Sequence, residues 1–147
     1  MKSLSLPLLA ALALAAPALA SPPPLPVAIT FLPGSADAEA MREDLIEAGW
    51  FGRTASTLDP GAVAACAGKD AACVRALTHP TRGKTAPEVI VLLAPEGGKT
   101  RMTCVGPGET SRDPVKQSVL VDLAVRARDD RDKAAGCIIS AAAESGW

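Results

Sequence analysis

The chain has 147 residues, a formal net charge of −1, and an aromatic content of 3%, with no tyrosine. So weak a charge argues against electrostatic steering of nucleic acid or of an anionic membrane surface. The scarcity of aromatic residues also argues against a surface that stacks bases or sugar rings. We therefore expect no nucleic acid partner.

The start of the chain has the pattern of a secretory signal peptide. Lys2 precedes an apolar stretch rich in leucine and alanine, and the stretch ends in the small residues Ala18 and Ala20. Signal peptidase removes such segments, and we expect cleavage before Ser21. No later stretch is long enough to span a membrane. The sequence therefore predicts a signal peptide at 1–20, a proline-rich spacer at 21–26 and a single disulfide-stapled domain at 27–147, located in the periplasm or secreted.

The mature part contains the four cysteines Cys66, Cys73, Cys104 and Cys137. An even number in an exported protein favours two disulfides, because the compartment is oxidising, and three pairings are possible. On an unbroken helix, residues seven apart lie about 10 Å from each other, which is too far for a disulfide. However, the Gly-Lys-Asp sequence at 68–70 can end one helix and begin another. We therefore predict that Cys66 pairs with Cys73 and Cys104 with Cys137.

The first part of the mature chain predicts a strand followed by a helix. Residues 27–32, VAITFL, are typical of a short strand, which ends at a Pro-Gly pair. Apolar residues then recur at helical spacing. Ser35 or Asp37 is the candidate cap of this helix, and Gly49 is its expected end.

The middle of the chain has helix and strand patterns. Residues 53–58 predict a weak strand. Asp59 followed by proline is a good helix start, so a helical region should extend through Leu77. Five consecutive apolar residues at 89–93 are typical of a strand covered on both faces. Residues 100–105 alternate between apolar and polar side chains, which predicts another strand after a hairpin turn.

The last third contains a segment with two interpretations. Residues 119–125 alternate with period two, which favours a strand, but Asp113 before a proline is also a good helix start, so a helix is the alternative. From Asp129 or Asp130 a helical pattern extends to about Gly146. The predicted fold is therefore α+β, with a single-layer mixed sheet packed by about three helices. The sheet comprises a three-strand antiparallel meander plus one or two N-terminal strands.

Gly98-Lys99-Thr100 has the composition of a phosphate-binding loop. Such a loop needs a further glycine five residues before Gly98 and a helix after the threonine. Leu93 occupies the glycine position and a strand is predicted to follow, so we interpret the segment as a hairpin turn. The sequence predicts no cofactor-binding residues.

His79 is the only histidine, so any hydrolytic triad has to use it with a serine or cysteine nucleophile. The sequence contains no Gly-x-Ser-x-Gly motif that would expose a nucleophilic serine. Zinc sites and redox motifs need cysteines closer together than the six residues that separate Cys66 from Cys73. We predict no catalytic and no metal-binding residues, and a structural role for the cysteines.

The order of these elements resembles the small α/β domain at the N-terminus of TolB and related bacterial envelope proteins. The segments that carry the resemblance are AACAGKDAACVRAL, PEVIVLLAPEGGKTRMTCVG and SVLVDLAV, within residues 27–128. Pro-Glu-Val-Ile-Val at 87–91 stands where those domains have an Ala-Asp-x-Val/Ile strand. This chain differs by its four cysteines and by lacking the β-propeller that follows in TolB. The resemblance implies a non-catalytic module whose sheet edge pairs with a partner strand.

These patterns predict an exported soluble bacterial envelope protein with a non-catalytic protein-binding or structural role. Its expected partner is an envelope protein, and no integral membrane segment is expected after cleavage. One alternative is a secreted hydrolase that uses a serine or cysteine with His79. A second alternative is a secreted inhibitor or effector.

The protein purified from the exported fraction should begin at Ser21 and show no titratable thiol in denaturant without reductant, because all four cysteines are expected to be paired. Intact-mass analysis and thiol titration measure the two properties. A mass that still includes Met1, or four titratable thiols, would contradict this prediction.

Overall fold

A computed structural model describes residues 21–66, 71–78, 87–106 and 117–143. The four strands form one mixed sheet in the order β1-β2-β3-β4, with β1 parallel to β2 and the other neighbours antiparallel. This confirms the predicted α+β class. In chain order, the elements are β1 (Ala28–Leu32), α1 (Ala36–Glu47), α2 (Pro60–Ala65), α3 (Ala71–Thr78), β2 (Glu88–Glu96), β3 (Lys99–Val105), β4 (Gln117–Val121) and α4 (Arg128–Ala143).

The centre of the fold is β2, which is buried on both faces. Val89, Ile90 and Val91 are all fully buried. Val89 and Val91 belong to a core cluster with side chains of α1 and α4, whereas Ile90 packs with Cys66 and Val74 beside α2 and α3. The sheet is thus enclosed between two helical layers, as the apolar run at 89–93 predicted.

Local sequence signals determine the ends of α1 and of the β2–β3 hairpin. Ser35 Oγ accepts a hydrogen bond of 3.1 Å from the Ala38 N–H and so caps α1. Gly49, with a φ of 82°, follows the end of this helix. Gly97 and Gly98 have φ values of 56° and 77° in the hairpin turn. These left-handed conformations favour glycine because it has no Cβ.

Residues 53–58 do not form the weak strand that the sequence predicted. Instead, this segment binds the Glu88 carboxylate at the start of β2. The Thr57 N–H and hydroxyl both donate to Oε1, the hydroxyl at 2.6 Å, and the Ser56 hydroxyl donates to Oε2 at 3.0 Å. Glu88 is only 2% exposed. A backbone N–H that donates to a buried carboxylate does not donate to a neighbouring strand, so the segment covers the start of β2 as an irregular strap.

The strand interpretation of the segment before α4 is confirmed for residues 117–121, but β4 ends earlier than the alternation suggested. Asp122 Oδ1 accepts hydrogen bonds of 3.0 Å from the N–H groups of both Ala124 and Val125. This side-chain cap replaces strand pairing with a turn. Arg126 completes the turn with a φ of 53°, and α4 begins two residues later.

Both disulfides have the predicted pairing. Cys66–Cys73 connects the end of α2 to α3 across a break in the helical region, with 5.8 Å between the Cα atoms. Cys104–Cys137 connects β3 to α4, with 5.9 Å between the Cα atoms. On the loop-entropy model the first bridge stabilises the fold by about 2.5 kcal/mol and the second by about 4 kcal/mol.

Two predicted features involve the membrane. The signal peptide at 1–20 lies outside the described residues. Within the described part of the chain, no helix combines the length and the apolar character needed to cross a bilayer.

Leu25, in the predicted spacer, forms an isolated parallel bridge with Phe51, so the spacer contacts the domain at this point.

Replacing Glu88 with alanine should destabilise the protein by about 2 kcal/mol or more, because the hydrogen bonds that its buried carboxylate accepts from Ser56 and Thr57 would be lost. Urea unfolding followed by circular dichroism measures the change. Glu47→Ala is the matched control, since it removes the same side chain from the exposed end of α1. Equal unfolding midpoints for the two variants would refute the structural role of Glu88.

Candidate interaction site at the edge of the sheet

The outer edge of β1 is shielded by other parts of the chain. Just before the strand, the Leu25 N–H donates to the Trp50 carbonyl at 3.1 Å, and the Gly52 N–H donates to the Leu25 carbonyl at 3.0 Å. Within the strand, the Arg42 guanidinium of α1 donates to the Ile29 carbonyl at 3.5 Å. This edge therefore combines a short paired segment with a cationic side chain, two features that discourage pairing with another strand.

The outer edge of β4 differs. On its inner side, β4 pairs with β3 from Thr100 opposite Val121 to Cys104 opposite Gln117. Its outer backbone groups make no hydrogen bond with any other residue that the structure describes. The strand sequence QSVLV contains no charged residue and no proline. Edge strands are normally protected by such residues, so within the described part of the chain nothing blocks this edge against pairing with another strand.

The side chains of β4 divide between the two faces of the sheet. Val121 is fully buried and belongs to the core cluster below α4, and Val119 packs against the same cluster. Ser118 and Leu120 alternate with them and face the opposite side. Ser118 is exposed and Leu120 is half-buried. A strand added to this edge would therefore contact an apolar face on one side and a more polar face on the other.

Arg101 connects β4 to the hairpin. Its Nη1 donates to the Ser118 hydroxyl at 3.0 Å, and its Nε and Nη2 both donate to the Glu96 carboxylate, the latter at 2.8 Å. These hydrogen bonds hold the pKa of Glu96 below its ordinary value. Arg101 thus fixes the position of β4 from the exposed face of the sheet.

The C-terminal end of β4 is fixed to α1. Arg126 Nε donates to Asp44 Oδ2 at 2.9 Å, and both side chains are about three-quarters buried. Arg126 Nη1 also donates to the carbonyls of Leu123 and Ala124, at 3.1 and 3.2 Å. The turn after β4 is therefore held by Arg126, which the sequence analysis did not single out. The only sequence signal for this turn was the Asp-x-x-x-Arg spacing within the alternating segment.

A cleft of about 300 Å³ lies beside the C-terminal ends of β1 and β2. Of its polar side chains, Ser35 and Asp122 already accept backbone hydrogen bonds at turns and caps. Asp37 and Lys99 are exposed. The groups that line this cleft thus serve the fold or face solvent, and they do not converge as a nucleophile, a base and an orienting acid would.

The residues that the sequence singled out for chemistry do not form a site. All four cysteines are in disulfides, so in this state their sulfurs are neither nucleophiles nor metal ligands. Among the described residues, no group of three or more His, Cys, Asp or Glu could hold a metal ion. His79 lies outside the described residues. Gly98-Lys99-Thr100 forms the hairpin turn and the start of β3, as predicted.

Comparison with known proteins gave no family model, no curated protein and no solved structure that matches the chain. The resemblance to the N-terminal domain of TolB therefore remains a prediction. The open edge of β4 has to be interpreted from its own geometry and chemistry.

Replacing Glu96 with glutamine should lower the thermal midpoint at pH 7, because the Arg101 pair would lose its charge. A carboxylate whose pKa is lower in the folded than in the unfolded protein stabilises the fold at a pH above its unfolded-state pKa. This stabilisation is lost as the pH falls through the folded-state pKa. The wild-type protein and the variant should therefore converge below the ordinary Glu pKa of 4.5. Thermal unfolding across pH 3 to 7 measures this difference, with Glu47→Gln as control. A difference that stays constant with pH would argue against the pair.

Proposed function

We propose that the protein is an exported bacterial envelope protein with a non-catalytic protein-binding role, and that it binds its partner by accepting a strand at the outer edge of β4. The observation that carries this proposal is the contrast between the two sheet edges. The edge of β1 is shielded by Arg42 and by the contacts of Leu25. The strand residues of β1 and β4 are both uncharged, but the edge of β4 makes no outward backbone hydrogen bond to any described residue.

Export is supported by two independent features. The first twenty residues have the cation, the apolar stretch and the small residues of a cleavable signal. The two disulfides are of a kind that forms and persists in oxidising compartments such as the periplasm.

A non-catalytic role is supported by the use of the polar side chains. The buried Glu88 carboxylate accepts hydrogen bonds from Ser56 and Thr57 and holds the strap over β2. Asp122 and Ser35 cap a turn and a helix. These groups are occupied within the fold, whereas catalysis requires groups that remain available to a substrate.

Strand addition suits this edge in physical terms. The backbone hydrogen bonds of the added strand supply affinity, and the alternating side chains supply specificity. A strand beside β4 would contact Ser118 and Leu120 on one face and Val119 on the other. The partner side chains next to Ser118 would also lie near Arg101, which favours polar or acidic residues at that position.

Site-specific photo-crosslinking in cells that produce the full chain tests this proposal. A photoreactive phenylalanine analogue at Ser118 should give a protein adduct, whereas the same analogue at Asp132, on the exposed side of α4, should not. Adding Leu120→Lys should reduce the adduct at position 118, because a charge on the edge discourages pairing. Equal yields at both positions, or no protein adduct at position 118, would rule out binding at β4.

A further inference from the structure

We propose that the Cys66–Cys73 disulfide is a redox switch that holds α2 in place, and that a dithiol reductant opens it while Cys104–Cys137 stays closed. This inference goes beyond the proposed function and does not depend on it. Opening the bridge would release α2 from α3 without unfolding the sheet.

The two disulfides differ in the access that a reductant has to their sulfurs. Thiol–disulfide exchange requires a thiolate to reach one sulfur of the bridge. Cys104 and Cys137 are 0% and 3% exposed, and both belong to the core cluster between the sheet and the helices α1 and α4. Cys66 is also buried, but Cys73 is half-buried. Of the four cysteines, Cys73 is therefore the one that a reductant can approach without opening the main core.

The two disulfides also differ in what else holds the helix that they attach. α4 packs on β2, β3 and β4 and on α1, so it stays in place through many contacts besides Cys137. α3 packs on β2 and β3, whereas the main contact of α2 is with α3. α2 has only six residues, and so short a helix is not stable on its own. The Cys66–Cys73 bridge is therefore a principal attachment of α2 to the rest of the fold.

Release of α2 would change the surface of the protein. The Cys66 side chain packs with Val74, Ile90 and Val105 in the apolar cluster on the face of the sheet opposite α4. Moving Cys66 away from α3 uncovers part of this cluster. The strap before α2 stays bound to the sheet through the hydrogen bond from Thr57 to Glu88. The reduced state thus presents local apolar surface that the oxidised state covers.

The exchange reaction balances with a dithiol as the reductant. One thiolate of the reductant attacks Cys73 Sγ, the S–S bond breaks, and Cys66 leaves as a thiolate that takes up a proton. The second thiolate attacks the mixed disulfide and releases Cys73 as a thiol. The reductant becomes a disulfide, and the protein gains two electrons and two protons. Only seven positions separate the two cysteines, so the loop-closure cost of forming the bridge again is small and the switch is reversible.

Stepwise reduction of the protein purified from the exported fraction tests the order of opening. Dithiothreitol is added under native conditions, samples are quenched with iodoacetamide, and peptide mass spectrometry locates the alkylated cysteines. Cys66 and Cys73 should react at least about tenfold faster than Cys104 and Cys137, because only their bridge is accessible in the folded protein. In denaturant, the matched control, the two bridges should react at similar rates. Simultaneous reduction under native conditions, or a preference that persists in denaturant, would overturn the proposal.

Hydrogen exchange tests whether reduction releases α2. In a variant with Cys66→Ser and Cys73→Ser, the amides of α2 should exchange at least about tenfold faster than in the wild type, while those of β2 and β3 keep their protection. The wild type, reduced and alkylated at Cys66 and Cys73 alone, should behave in the same way, and this sample does not depend on the folding of the variant. Oxidised dithiothreitol added to the reduced, unalkylated protein should restore slow exchange. Unchanged exchange in α2, or loss of protection throughout the sheet, would show a structural crosslink and no switch.

Discussion

The structure depends on the burial of β2 from both sides. Val89, Ile90 and Val91 are fully buried, and side chains of a strand alternate between faces, so each face of the sheet needs its own helical cover. On one face this cover is α1 and α4, and on the other it is α2 and α3. Few of the covering side chains are large. The Cys104–Cys137 disulfide attaches α4 to β3, and Cys66–Cys73 holds the α2–α3 pair together, so crosslinks supplement a small-residue interior.

The two edges of the sheet differ because of what the chain does next to each of them. Before β1, the segment at Leu25 pairs with the segment that follows α1, and α1 places Arg42 over the strand. After β4, Asp122 turns the chain at once, and Arg126 fixes that turn to Asp44. The chain then enters α4, which packs below the sheet rather than beside β4. The open edge is thus a consequence of the order of the elements.

Features that depend on near neighbours in the chain were predictable from the sequence. The Ser35 cap, the glycine hairpin and the doubly covered run at 89–93 are of this kind. The prediction of a strand at 53–58 was wrong because Thr57 donates to Glu88, which lies 31 residues away in the sequence and gives no local signal. The alternation at 122–125 predicted a longer strand than β4, because it gave no sign that the Asp122 side chain caps a turn there. The position of β4 at the edge of the sheet could not be predicted from the sequence, because it depends on which strands become neighbours.

The β4 strand is held in place before any partner arrives. Arg101 fixes Ser118 from one face, and the Cys104–Cys137 disulfide holds the neighbouring strand to α4 from the other. Ordering a free strand costs about 1–2 kcal/mol of backbone entropy per residue, and a preorganised edge has already lost that freedom. A disordered peptide would still have to lose it on binding. A strand that is already ordered within a folded partner protein would not. If the proposed strand addition occurs at β4, preorganisation therefore favours a folded partner strand over a flexible one.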